Sequence, residues 1–244
     1  MLNPLFKKFR IANLALFVCA MVCLVCYDTF RGVWLKGFTS LWFVLIGLVN
    51  LIFAKKTGIN NTKPVYFIFT GLFLGMCADV LLAVFFEAGI VAFALGHVMY
   101  LAAFYMLQKP RKADFVIAIP VIAVSVYIVI GTPFITIEDS FIRYFLIVYA
   151  VIISLMLSKA WSNFIAGKSA ATLIIAFSSA LFWFSDLMLA VDMFGTPSRL
   201  VWILCSYSYW PAQNLIAHSM FHFVKEQQRQ KIHRNTLRVN TKEL

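Results

Sequence analysis

Long apolar runs separated by short polar connectors dominate this chain. Runs close to the ~20 residues that a helix needs to cross a bilayer fall at about 11–27, 38–54, 64–86, 89–107, 115–131, 141–158, 170–194 and 200–223. None alternates polar and apolar positions as a membrane strand would. The pattern therefore predicts an all-α fold, a polytopic membrane helical bundle of about eight transmembrane helices within one domain, residues 1–224. Residues 225–244 are polar and basic and read as a cytoplasmic tail that frays or lies on the anionic inner leaflet.

Composition agrees with the pattern. Of 244 residues, 62% are apolar and 13% charged, against roughly 45–50% and ~25% in soluble domains. The positive charge is sorted along the chain. With the N-terminus cytoplasmic, 17 of the 21 Lys and Arg fall on the inner side, and Arg31, Lys36, Arg143 and Arg199 fall on the outer side. Both termini are thus expected to be cytoplasmic, in a multi-pass protein of a bacterial inner (plasma) membrane. The net charge of +11 is a topology signal and gives no support to nucleic-acid binding. Lys7, Lys8 and Arg10 before the first run imitate a signal peptide, but no small-x-small site precedes Tyr27, so the run reads as an uncleaved helix. Cys19, Cys23, Cys26, Cys77 and Cys205 all fall in predicted helices, where packing accounts for them.

Two apolar runs carry an aspartate in nearly the same setting, "CADVLLAVFF" at 77–86 and "FSDLMLAVDMF" at 184–194. Asp79 and Asp186 are 107 residues apart, which spans four predicted helices, and an even number restores the same direction. The two acids are therefore expected at comparable depth in the outer half, in a parallel four-plus-four internal repeat. An acid in hydrocarbon faces the bundle interior and needs partners. No Lys or Arg lies centrally in a predicted helix, so a proton shared by the two carboxyls is the expected resting state.

Other polar groups reach the same level. His97 and Tyr100 share a face of the fourth helix, with His97 a candidate partner of Asp79, and Tyr209 and Gln213 share a face of the eighth beside Pro211. Gly71, Gly75, Asp79 and Ala83 form a small-residue stripe that lets another helix approach. His218 and His222 have the i, i+4 spacing of metal ligands without an acid in reach on that helix, so no metal and no cofactor is expected. Two acids ringed by Tyr, His and Gln can divide their work, one giving a proton and the other activating water or stabilising a cation.

The segments "GMCADVLLAVF", "ALGHVMYLAAF", "FSDLMLAVDMF" and "YWPAQNLIAHS" resemble the motifs of the YhhN-type lysoplasmalogenases, eight-helix membrane hydrolases, in order and spacing over most of the chain. The resemblance implies hydrolysis of the vinyl ether bond of lysoplasmalogens, giving a fatty aldehyde and glycerophosphoethanolamine or glycerophosphocholine. It implies Asp79 and Asp186 as catalytic residues and His97, Tyr100, Ser185, Tyr209 and Gln213 as substrate-binding ones, with a lysophospholipid and the surrounding membrane lipid as partners. Ala78 stands where the family has Gly, and Trp210 where it has a second Tyr. The competing class is a proton-coupled lipid or small-molecule transporter, which also uses midplane acids. A structural membrane subunit would leave both aspartates without a role.

Overall fold

The computed structural model describes residues 4–133 and 135–240, with side chains through Asn235. These residues form eight helices: α1 (Pro4–Phe30), α2 (Val33–Thr57), α3 (Lys63–Val84), α4 (Phe86–Leu107), α5 (Lys112–Gly131), α6 (Ser140–Gly167), α7 (Ala170–Phe194) and α8 (Arg199–Asn240). All eight predicted helices are present and most begin or end beyond their apolar runs, because lysines at the ends can stay in a helix while their charges reach the interface. The start of α1 and the later part of α8 lie on the same side of the bundle, with Phe6 and Phe9 against Phe53 and Phe53 against Phe221.

Seven helices, α1 to α7, are long and apolar enough to cross a membrane. Helix α8 falls short because its middle carries Ser206, Ser208, Gln213, Asn214 and Ser219, all buried. It packs on α1, α2, α3 and α7, so its polar groups meet protein instead of lipid. The helix also runs through Asn240 instead of ending near residue 223, and two bonds tie the extension to the bundle. Glu226 accepts the Ala171 N–H at 3.1 Å, and Lys231 Nζ donates to the Gly58 carbonyl at 2.7 Å, so both groups satisfy backbone groups at helix ends. The reading of this segment as frayed, or lying flat on the membrane, is corrected to that extent.

The packing follows the four-helix offset. Helix α3 lies against α4 as α7 lies against α8, and α2 touches α3 and α8 as α6 touches α7 and α4. The correspondence is partial, since α3 also packs directly on α8 whereas α7 meets α4 through side chains such as His97 and Asp186.

Polar pairs fasten the bundle. Asn13 and Asn50 exchange amide hydrogen bonds at 2.8 and 2.7 Å, and Asn50 also donates to the Ala217 carbonyl at 2.9 Å. This joins α1 and α2 to α8. Near the basic face Lys159, placed by the sequence reading in a connector, lies instead inside α6 and is fully buried. The helix continues two turns past residue 158 because this cation is neutralised: its Nζ is 3.0 Å from Asp114 Oδ2 and 3.0 Å from the Lys109 carbonyl, and 4.6 Å from the Tyr105 ring centroid. Removing one partner of such a pair strands a buried charge, at a cost of about 3–5 kcal/mol. Lys159→Met should accordingly lower the melting temperature of the detergent-solubilised protein sharply, and adding Asp114→Leu should recover much of the loss.

Candidate functional site

Asp79 lies five residues from the end of α3 and Asp186 eight from the end of α7, or about 7.5 and 12 Å along the helices. Both lie in the half of the bundle away from the basic face.

Asp79 is fully buried and surrounded by donors. The Ser40 hydroxyl donates to its Oδ2 at 2.5 Å and the Tyr209 hydroxyl donates to the same oxygen at 2.7 Å. Lys36 Nζ stands 3.6 Å from Oδ1. Each hydroxyl is itself directed. Trp210 Nε1 donates to Ser40 at 3.2 Å, which leaves the Ser40 proton for Asp79. Tyr100 donates to Gln213 Oε1 at 2.6 Å, and Gln213 Nε2 donates to Tyr209 at 3.3 Å. Two chains of donors therefore end on one carboxylate oxygen and a cation faces the other. A carboxyl oxygen met by these donors acts as an acceptor.

Asp186 has a different shell. Tyr149 donates to its Oδ2 at 2.5 Å, and His97 Nε2 lies 3.1 Å from the same oxygen and 2.8 Å from the Tyr149 hydroxyl. His97 Nδ1 is buried without a partner, which fits a neutral ring carrying its proton on Nε2, because an unpaired lone pair is the cheaper group to leave. Ser185 Oγ approaches Asp186 Oδ1 at 3.3 Å but donates at 2.6 Å to the Phe182 carbonyl. Its single proton is taken by the shorter bond, so Oδ1 is the carboxyl oxygen without a committed donor.

Helix equivalence carries into these shells. Asp79 on α3 is held from α2 (Ser40) and α8 (Tyr209), and Asp186 on α7 is held from α6 (Tyr149) and α4 (His97). Those are the counterparts under the four-helix offset. Chemical identity is not repeated: one shell holds Ser, Tyr and Lys, the other Tyr and His.

Two cavities meet at Asp186. One, of about 340 Å³, is lined by Lys36, Asp79, Ser185, Asp186, Asp192, Cys205 and Tyr209 with the rings of Tyr27, Trp202 and Trp210. The other, narrow at about 60 Å³, is lined by Phe86, Ile90, Val129, Leu146, Ile153, Trp183 and Met193 among other apolar residues, with Tyr149 and Asp186 as polar exceptions beside Ser125. Asp186 belongs to both walls, as do Leu82, Phe93, Leu189 and Met193. Trp183 is fixed midway along α7 by a 2.8 Å bond to Ser125, which in turn meets Ser154 at 2.9 Å.

The structure brings Asp79, Tyr100, Tyr209 and Gln213 into one network and His97, Ser185 and Asp186 into another. Three readings from sequence change. His97 partners Asp186 and not Asp79. Lys36 is a cation close to Asp79, because its place in the first turn of α2 lets the side chain reach inward. No direct hydrogen bond joins the two carboxyls among the described residues; each has its own donors, so the proton shared between them is not supported. Ser40 and Tyr149 were missed. The offset of 107 does not find them, since it takes Ser40 to Ile147, two residues from Tyr149 and on another face of the helix.

This is a polytopic helical membrane protein with a two-acid site, Asp79 buried and Asp186 part-buried, beside a polar and an apolar cavity. The YhhN family model matches residues 33–220, and the chain belongs to that family. The match takes in α2 to α7, the first half of α8 and both acid shells. No curated protein and no solved structure matches the chain significantly.

The glycines on the Asp79 face make the network fit. A Cβ at Gly71 would come within 2.5 Å of the Tyr100 ring, and one at Gly75 within 2.7 Å of Gln213 Nε2. Overpacking of this kind costs about 1–3 kcal/mol. Gly75→Ala should lower thermal stability by that order and displace Gln213 from Tyr209, while Gly71→Ala should displace the Tyr100 ring. Unchanged melting temperatures in both variants would contradict the packing described.

Proposed function

We propose that the protein is a membrane-embedded hydrolase that cleaves the vinyl ether bond of lysoplasmalogens, releasing a fatty aldehyde and a glycerophospho head group. One observation carries the reading beyond family membership: Asp186 lies where a polar and an apolar cavity meet, and Asp79 lines the polar one. An amphiphile with its chain in the apolar cavity and its head in the polar one would present the linkage between them to these acids.

The chemistry follows from the two shells. Asp186 Oδ1, the oxygen free to hold a proton, delivers it to the alkenyl carbon beta to the ether oxygen. The ether oxygen shares its electrons with the adjacent carbon and an oxocarbenium ion forms. Asp79, an acceptor throughout, stabilises that cation and takes a proton from the attacking water. The resulting hemiacetal collapses as its hydroxyl proton passes to the glycerol oxygen, and the cycle closes as Asp79 gives up its proton to water in the polar cavity and Asp186 regains one there, so one water is consumed for one aldehyde and one alcohol. His97 and Tyr149 are positioning residues for Asp186; Ser40 and Tyr209 serve Asp79. The carboxyl groups thus perform different steps, as in pairs whose environments separate their protonation.

Protonation on carbon is specific to the vinyl ether. Purified protein in detergent should release aldehyde from a lysoplasmalogen and leave the corresponding ester lysolipid intact. Fatty acid from the ester would identify a lysophospholipase, and unaltered substrate crossing liposome membranes would identify a transporter. Asp79→Asn and Asp186→Asn should each reduce turnover by about 10²–10⁴-fold with melting temperatures close to the parent, and His97→Gln should cost less. Full turnover in either Asn variant would overturn the mechanism.

A further inference from the structure

The mouth of the polar cavity carries charges that the chemistry at the two acids does not use. Lys36 has three N–H donors, and the acceptor it faces, Asp79 Oδ1, is 3.6 Å away. Its side chain is 19% exposed and lines the cavity, leaving donors for an anion. Asp192 lines the same cavity, six residues beyond Asp186 on α7 and half-buried. It makes no hydrogen bond or ion pair among the described residues, and Arg31 influences it only through space. An anion-binding lysine and an unbonded carboxylate on one cavity wall suit a ligand that carries both charges.

The rings at the mouth decide which cation fits. A quaternary ammonium has no N–H and is recognised by open aromatic faces. Here Trp202 already carries Arg31, with its guanidinium carbon 4.3 Å from the ring centroid, and Arg199 at 4.9 Å. Arg199 is anchored in turn by an ion pair to Asp28. Tyr27 and Trp210 pack edge to face at 5.0 Å. Recognition of a cation therefore falls to Asp192, whose oxygens need N–H donors to form charge-assisted bonds.

We propose that the polar cavity is a phosphoethanolamine head-group site, in which Lys36 holds the phosphodiester and Asp192 the primary ammonium, and that it discriminates against the trimethylated head group. The assignment rests on the lysolipid reading for the orientation of the substrate. It deepens that reading by naming the head group.

Binding can be measured without turnover, by titrating glycerophosphoethanolamine, glycerophosphocholine and glycerol 3-phosphate into the detergent-solubilised full-length protein. The parent should bind the ethanolamine compound at least tenfold more tightly than the choline compound. Asp192→Asn should bring those two affinities together, and Asp192→Glu, which keeps the charge, should keep the preference. Lys36→Met should weaken all three ligands, and Lys36→Arg should restore them in part. Equal or tighter binding of the choline compound to the parent, or an unchanged ratio in Asp192→Asn, would overturn the site. Head-group binding with this preference but no aldehyde from any lysoplasmalogen would sink the hydrolase reading alone. Aldehyde release without the preference would sink the head-group site alone.

Discussion

A carboxyl group taken out of water must be met by donors or by a cation, and this bundle has to meet that demand twice. Ser40, Tyr209 and Lys36 converge on Asp79, and Tyr149 and His97 converge on Asp186. The helix contacts follow. Helix α8 is central and polar along its length because Tyr209 and Gln213 must reach α3. Helix α3 carries Gly71 and Gly75 because Tyr100 and Gln213 need the space that a Cβ would fill. A buried network of this kind is stable only when its members are satisfied, which is why Trp210 and Tyr100, one bond removed from the acid, belong to the site.

The same frame, used twice, has two outcomes. Each aspartate is held from helices that correspond under the four-helix offset, α2 and α8 for Asp79 and α6 and α4 for Asp186. Side chains from the counterpart helices then break the symmetry. Every donor around Asp79 has its direction fixed by another donor behind it, and a cation stands opposite. Around Asp186 the Ser185 proton is drawn away to the Phe182 carbonyl, leaving one oxygen open. Cavities of opposite character continue the asymmetry, with the apolar one touching Asp186 alone of the two acids.

Much of this was legible in the sequence, and the remainder was hidden for physical reasons. Apolar run length gave all eight helices, and the repeated Asp-x-x-Leu-Ala-Val setting singled out both acids. Lys36 and Lys159 were misread because a lysine near a run's end looks like a loop residue. The long stem lets Lys36 reach a buried carboxylate from the first turn, while Lys159 lies inside a helix that its partner Asp114 permits to continue. Those partners sit on other helices, and no local pattern encodes them. Ser40 and Tyr149 look like ordinary residues of apolar helices until the packing brings each to an acid. The partner of His97 depended on which neighbour of α4 it faced, a fact of packing and not of spacing.

The mechanism proposed above requires one asymmetry, a proton for Asp186 to deliver and an Asp79 able to accept one. Isotope-edited infrared spectra of the parent, Asp79→Asn and Asp186→Asn, each carrying labelled aspartate carboxyl carbons, test it directly. The C=O stretch of a protonated carboxyl should be present in the parent, persist in Asp79→Asn and vanish in Asp186→Asn. Its loss in Asp79→Asn with retention in Asp186→Asn would contradict the assignment of roles.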